Sequence, residues 1–544
     1  MNKMRNLGVL AALISLWFTQ ARAHEDVAPA GQPGEQLGKV TFIVECNAEA
    51  QREFNRAIAL YHSFWFDPAN KSFDKVIQLD PGCGMAHWGR ALSVLGNPFA
   101  WPAPAKAWQA GAVSMDKAMQ VGARNERERD YIAALAKFYD DWQQTEHRSR
   151  ALAWEAAMAQ LAGRYRDDME AQIFYSLALI ANALPTDKTF KNQLKAGEIL
   201  QPLFEKHPDH PGAAHYLIHG YDYTELVQRG LPAARRYALI APSAPHALHM
   251  PAHIFSRLGM WDESIVTNRA SAAAARKELN DTSMTIGSYN ALHAMDYMMY
   301  AHLQLGQDAA AQQLLDEIAA IQRIDIGNFP GAYALAAMPA RYALEHHDWN
   351  RAANLKLHPQ SLPWPQFPQC EAITIYARAL GKARSGDVIG AKQEVARLHE
   401  LRETMLKNKT GYWPQQTEIQ ISAASAWIAL AENQTDEAQR LMRAAVELEA
   451  TTDKHPVTPG PLTPPREQLA DMLLELNKPA EALAAYEQVH VSEPNRLRSF
   501  YGAARAAQAS GDLEKSRNYD RKLLELTAKG ESTRPEILRA RNGE

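Results

Sequence analysis

The chain has 544 residues, 46% of them hydrophobic and 22% charged, with a formal net charge of −4 at pH 7. That length is ample for a large core, and the mixed charges, with no basic block interleaved with aromatics, argue against a nucleic-acid partner. Three cysteines, Cys46, Cys83 and Cys370, are too few for disulfides to be the main source of stability.

Lys3 and Arg5 precede an apolar run from Leu7 to Phe18 and the small-x-small triplet Ala21-Arg22-Ala23, the pattern of a secretory signal peptide over residues 1–23. The expectation is an exported protein, periplasmic or extracellular. No later stretch approaches ~20 uninterrupted apolar residues, so no membrane span is expected. Residues 24–46 open with two prolines and three glycines and no periodicity, which predicts a mobile arm.

From residue 47 onward alanine, leucine, glutamate, arginine and methionine dominate between short breaks, and strand signals are nearly absent. The first helix pair is expected over 49–65 and 68–79. In its second helix Ala69, Phe73 and Pro81 follow the offsets 0, 4 and 12, and Ala482, Tyr486 and Pro494 repeat them. These are positions where a helix packs a small residue and a large one and then stops at a proline. Cys46 lies just before the first helix and Cys83 just after the second, ends that a helical hairpin brings together, which makes them a candidate disulfide.

Ala482, Tyr486 and Pro494 fall in EALAAYEQVHVSEPN, which is followed by a helix ending in ASGD; this stretch resembles a tetratricopeptide repeat. So do the units around Gly259 and Gly306. The phrases YHSFWFDPANKSFDKVIQLDPGCGMAHWGRAL and DKHPVTPGPLTPPREQLADMLLELNKPAEAL are similar to those of a family of exported bacterial repeat proteins without an established reaction. The resemblance implies an all-α, right-handed superhelical solenoid of about a dozen helical hairpins, each touching mainly its neighbours.

The expected organisation is a central solenoid over 47–355, a proline-rich loop over 356–370, and further repeat helices over 371–452. A proline-rich connector over 453–465, the clearest repeats over 466–529 and a charged, frayed tail over 530–544 complete it. Four prolines between His358 and Cys370 preclude helix there, and the loop is read as a lid or cap over the groove.

Residues 211–304 carry the chemistry. His215 and His219 stand four apart, as do His249 and His253, and the two pairs are 34 residues apart, the tetratricopeptide period. Residues four apart share a helix face, so both pairs are expected to look into one space. His246, His249, His253 and Arg257 follow the spacing 0, 3, 7, 11, and His293, Asp296, Tyr300 and Gln304 repeat it. These stripes coincide with the positions that line the concave ligand-binding face in the family the chain resembles.

Three readings stay open. Four imidazoles, His215, His219, His249 and His253, suit a transition metal such as zinc or copper, with Asp222 and Asp296 orienting the rings or supplying a carboxylate ligand. The same stripe, with His246, Arg257, His293, Tyr300 and Gln304, suits contact with a protein or peptide ligand. The rings also suit a structural network in which they satisfy one another. The sequence contains no HExxH, GxGxxG or GxSxG motif, which leaves zinc-protease, nucleotide and serine-hydrolase readings without an anchor. The expected function is therefore a repeat scaffold that binds a partner on its concave face around a histidine site. A metal-dependent hydrolase or oxidase using the same residues is the alternative.

Overall fold

A computed structural model describes residues 34–279 and 285–543. The signal-peptide stretch 1–23 and the first part of the expected arm lie outside those residues. Among the described residues the chain is all-α apart from a two-residue parallel bridge that pairs Ile286 with Arg323 and Gly287 with Ile324.

The helices are short, and their ends are written into the sequence. Asn47, Asp168, Asn328 and Asp387 each cap a helix N-terminus, their side chains accepting backbone N–H groups of the first turn. Prolines open many others, including Pro211, Pro245, Pro368 and Pro465, where the missing N–H costs nothing. Gly259 and Gly306 follow helix ends with φ +64°, a conformation glycine adopts without strain.

Successive helices pack as hairpins, and the first helices of neighbouring hairpins also touch, giving a solenoid of tetratricopeptide-like units. The small-and-large pairing recurs in its first and late repeats. Phe73 packs onto Gly89, and Tyr486 onto Gly502, so closely that a Cβ at either glycine would lie within 2.1 Å of the ring. The solenoid also closes on itself. Helix Ala48–His62 meets helix Pro211–Tyr221, and helix Tyr289–Gln304 meets helix Leu497–Ala509. Two large apolar cores result, one built from buried residues between 37 and 255 and the other from residues between 272 and 540, with a small cluster of Trp261, Ile265, Tyr300, Ala301 and Leu305 beside them. The histidine segment lies where they join.

Three expectations give way to the structure. Residues 35–46 are docked rather than mobile: Leu37, Phe42 and Val44 are buried, and Lys39 N donates to Asp209 O at 2.9 Å. Burial alternates from Val40 to Val44, with Phe42 and Val44 turned inward and Thr41 and Ile43 outward, a period that fits an extended segment laid on a core. The tail is not frayed. Helix Pro535–Asn542 buries Ile537, Ser532 N donates to Gly306 O at 3.1 Å, and Arg534 pairs with Asp308.

The loop 356–370 does not cover the histidines. Its Leu362, Trp364 and Phe367 are buried in the C-terminal core, where apolar side chains outweigh the backbone restrictions of four prolines. The other proline-rich connector, 453–465, takes the covering position. Cys46 and Cys83 form a disulfide, with Cα atoms 5.2 Å apart.

Candidate metal centre

Six histidines from three parts of the chain form one nest. Helix Pro211–Tyr221 supplies His215 and His219, and helix Tyr289–Gln304 supplies His293. His246 and His249 sit on Pro245–His249 and His253 on Pro251–Arg257, two short helices joined at Met250, where Pro251 has no N–H to continue the ladder. Their ligand atoms group into two triads, His249–His253–His293 and His215–His219–His246, each within 4.8 Å of one another. The four histidines of the two 34-residue-spaced pairs thus divide between the triads.

In the first triad the tautomers are fixed from outside. His249 Nδ1 lies 2.6 Å from Asn268 Oδ1, and Asn268 Nδ2 donates to Ser264 O at 2.8 Å, which sets the amide with its oxygen toward the ring. His253 Nδ1 lies 2.9 Å from Asp222 Oδ2. Both Nδ1 atoms must therefore carry the proton, and both Nε2 atoms keep a lone pair. Yet His249 Nε2 and His253 Nε2 face each other at 3.0 Å.

Burial pushes both rings below the ordinary histidine range, His249 with His293 as a further cause, so at neutral pH no extra proton sits between them. Two lone pairs in contact repel. A cation between them is the arrangement their tautomers ask for, since two ligands on one ion with bonds of ~2.0–2.1 Å stand roughly 3.0–3.4 Å apart. His293, its ring centroid 4.4 Å from that of His249, adds a buried Nδ1 with no hydrogen-bond partner.

The second triad has the same features in weaker form. His215 Nδ1 donates to His62 O at 2.6 Å, which leaves its Nε2 as a lone pair 3.2 Å from His246 Nε2. His219 Nε2 is buried and meets no partner. Phe64 holds the group together: its ring stacks on those of His246 and His219 and meets His215 edge-on at 4.4 Å. Phe64 has φ 52°, a left-handed conformation that costs a bulky residue of order 1–3 kcal/mol. Burial pushes His215, His219 and His246 well below the ordinary range.

A third buried group, His62, Glu170 and His210, also has the composition of a metal site. Its hydrogen bonds are complete without an ion. Glu170 accepts from His62 Nε2 and from His210 Nε2, each at 2.9 Å; His62 Nδ1 meets Tyr216 Oη at 2.8 Å, and His210 Nδ1 accepts from Ala213 N at 3.3 Å. Burial opposes the charge of Glu170, but His210 and His62 hold its carboxyl well below the usual carboxylate range.

The remaining residues expected at the site divide. Asp222 stands behind His253 and also binds Arg257 Nε at 2.9 Å and Lys454 Nζ at 3.3 Å. Burial works against its charge, yet Lys454, Arg257 and His253 hold it well below the usual range. Arg257 is further tied to Asp453 at 2.8 Å. Asp296 turns to Arg341 at 2.8 Å, Tyr300 Oη accepts from Arg496 Nη1 at 2.8 Å, and Gln304 Oε1 accepts from Leu497 N at 3.0 Å. Tyr300 and Gln304 thus meet the C-terminal repeats, while Asp296 meets helix Phe329–Glu345 through Arg341, which itself donates to Thr458 of the connector, so the chain itself occupies the face on which these three were expected to meet a ligand.

Sequence spacing did not point to Asn268, Phe64 or the backbone carbonyl of His62. Nor did it point to the strap 453–465. That strap is pinned by Tyr297 Oη donating to Pro456 O at 2.9 Å and by Arg341 Nη2 donating to Thr458 Oγ1 at 2.7 Å. Burial and Arg257 lower the Lys454 amine to about 8 despite Asp222. Beyond Arg257 and Lys454 lies a cavity of about 380 Å³, lined also by Tyr333, Tyr412 and Trp413.

No protein-family model matches the chain, and no curated protein matches it. Similar solved structures include a human IFIT1 dimer with PPP-AAAA, at 11% identity and TM-score 0.35, covering 88% of this chain and 90% of that one. Another is yeast Tom70, at 12% identity and TM-score 0.28, covering 91% of this chain and 88% of that one. Likenesses this distant carry no argument about function.

Proposed function

We propose that this repeat scaffold is a transition-metal-binding protein whose centre is the triad His249, His253 and His293, with zinc or copper as the ion. The observation that carries the reading is the 3.0 Å contact between two ring nitrogens whose protons are committed elsewhere, to Asn268 and to Asp222. Imidazole ligands suit both ions, and carboxylate and amide acceptors behind the rings raise their basicity and fix their aim. A tris-histidine ion keeps a coordination position for a water or a small ligand. Export through the leader at residues 1–23 fits such a role and is part of the same proposal.

The test is elemental analysis of the untagged protein after dialysis against buffer with zinc or copper, beside His249→Ala/His253→Ala. At least one equivalent of metal in the parent, lost from the double variant, is the expected result. A parent that stays empty after metal is offered overturns the reading.

A further inference from the structure

We propose that the nest is a two-metal centre: a second ion sits at His215, His219 and His246, and the pair it forms with the first is copper. This rests on the metal reading of the first triad and extends it. The second triad repeats the essential arrangement, with one ring locked as its Nδ1–H tautomer by a backbone carbonyl, a facing nitrogen at 3.2 Å and the unpartnered, buried Nε2 of His219.

The triads are neighbours in one chamber. Ring centroids of His219 and His253 are 5.7 Å apart, and those of His246 and His249 are 6.1 Å apart. Those distances fall inside the range spanned within single triads, from 4.4 Å for His249–His293 to 6.4 Å for His253–His293.

Charge selects the ion. All six ligands are neutral imidazoles, and neither triad includes a carboxylate. Asp222, the acid that touches a ligand of the pair, already shares its charge with Arg257 and Lys454. Two divalent ions would bury four positive charges against no ligand charge, a heavy cost in a dry site. Cuprous ions halve that charge and accept imidazole ligands. Divalent ions become acceptable when a small anion such as hydroxide bridges them.

The proposal is tested by anaerobic titration of the full chain with Cu(I) against a competing chelator, beside His219→Leu and His246→Gln, with melting temperature confirming that each variant folds. The expected result is two equivalents in the parent and one in each variant. One equivalent in the parent and in both variants overturns the second site and leaves the proposed function standing. Two equivalents retained in both variants also overturn it. No tight copper in the parent defeats this inference, and the proposed function too if zinc is likewise refused. His219 lacks a hydrogen-bond partner at Nε2, so its replacement is the milder change, and His246→Gln, on a separate helix, is the independent check.

Discussion

Two buried histidine groups in this molecule look alike in composition and differ in accounting. In His62–Glu170–His210 every ring nitrogen has a partner, and a carboxylate holds the centre. In the first triad of the nest, at His249–His253–His293, the partners sit behind two of the rings, and the nitrogens at the centre face each other or nothing. Proximity alone does not separate a structural network from a ligand set. Counting donors and acceptors does, because a buried polar group without a partner costs about 1–3 kcal/mol and persists only for a reason.

The comparison breaks first at Glu170. Glu170→Gln removes the charge to which both histidines turn and is expected to cost roughly 3–5 kcal/mol, the scale of breaking one side of a buried pair. Denaturant unfolding measures that loss, while metal content per chain should not change in the folded variant. Loss of metal would merge the two groups into one site.

Acid separates them next. The nest histidines have folded-state values below the unfolded value of ~6.5, so metal-free protein keeps their full contribution above that pH and loses it as pH falls, by about 1.4 kcal/mol per pH unit for each ring. Glu170, depressed below its ordinary value, contributes fully above ~4.5 and loses its contribution only below that. His62 shares the upper window. Unfolding free energies between pH 8 and pH 4 should therefore begin to fall near 6.5, and more gently in His219→Leu. A parent curve flat from pH 7 to pH 5 contradicts the accounting.

Smaller changes sharpen the contrast. Asn268→Leu frees the His249 tautomer and is expected to weaken metal binding by about 10–100-fold with the fold intact, as read by chelator competition. Lys454→Met removes a cation from beside Asp222 and should tighten metal binding several-fold. In the parent, affinity should rise in the same direction as pH passes about 8, where Lys454 loses its proton.

How much of this the sequence carried depends on whether the signal was local. The 34-residue spacing of His215/His219 and His249/His253 told correctly that the two pairs share a space, because repeat period and helix period are both local rules. The same spacing placed Asp296, Tyr300 and Gln304 on one stripe with His293, and there the rule ran out. A helix face is shared along its length, but what covers it is decided by distant chain: Arg341, Arg496 and the backbone of Leu497. The strap at Lys454 is more than two hundred residues from Asp222 in sequence, and its prolines marked only an irregular connector. The locking of His215 by the carbonyl of His62 depends on how the superhelix closes, which no local pattern encodes. Burial of residues 35–46 was poorly legible, because the apolar but exposed Ile43 interrupts the two-residue spacing of Val40, Phe42 and Val44, and glycines and prolines just before them suggested a loose arm.

The most direct test of the central claim is anomalous diffraction from crystals of the metal-loaded protein, collected on both sides of the copper and zinc absorption edges. The account predicts an anomalous peak within bonding distance of His249 Nε2 and His253 Nε2, with Asn268 and Asp222 still holding the two Nδ1 atoms. A map with no peak there, and with His249 and His253 turned so that one ring nitrogen donates to the other, would contradict it.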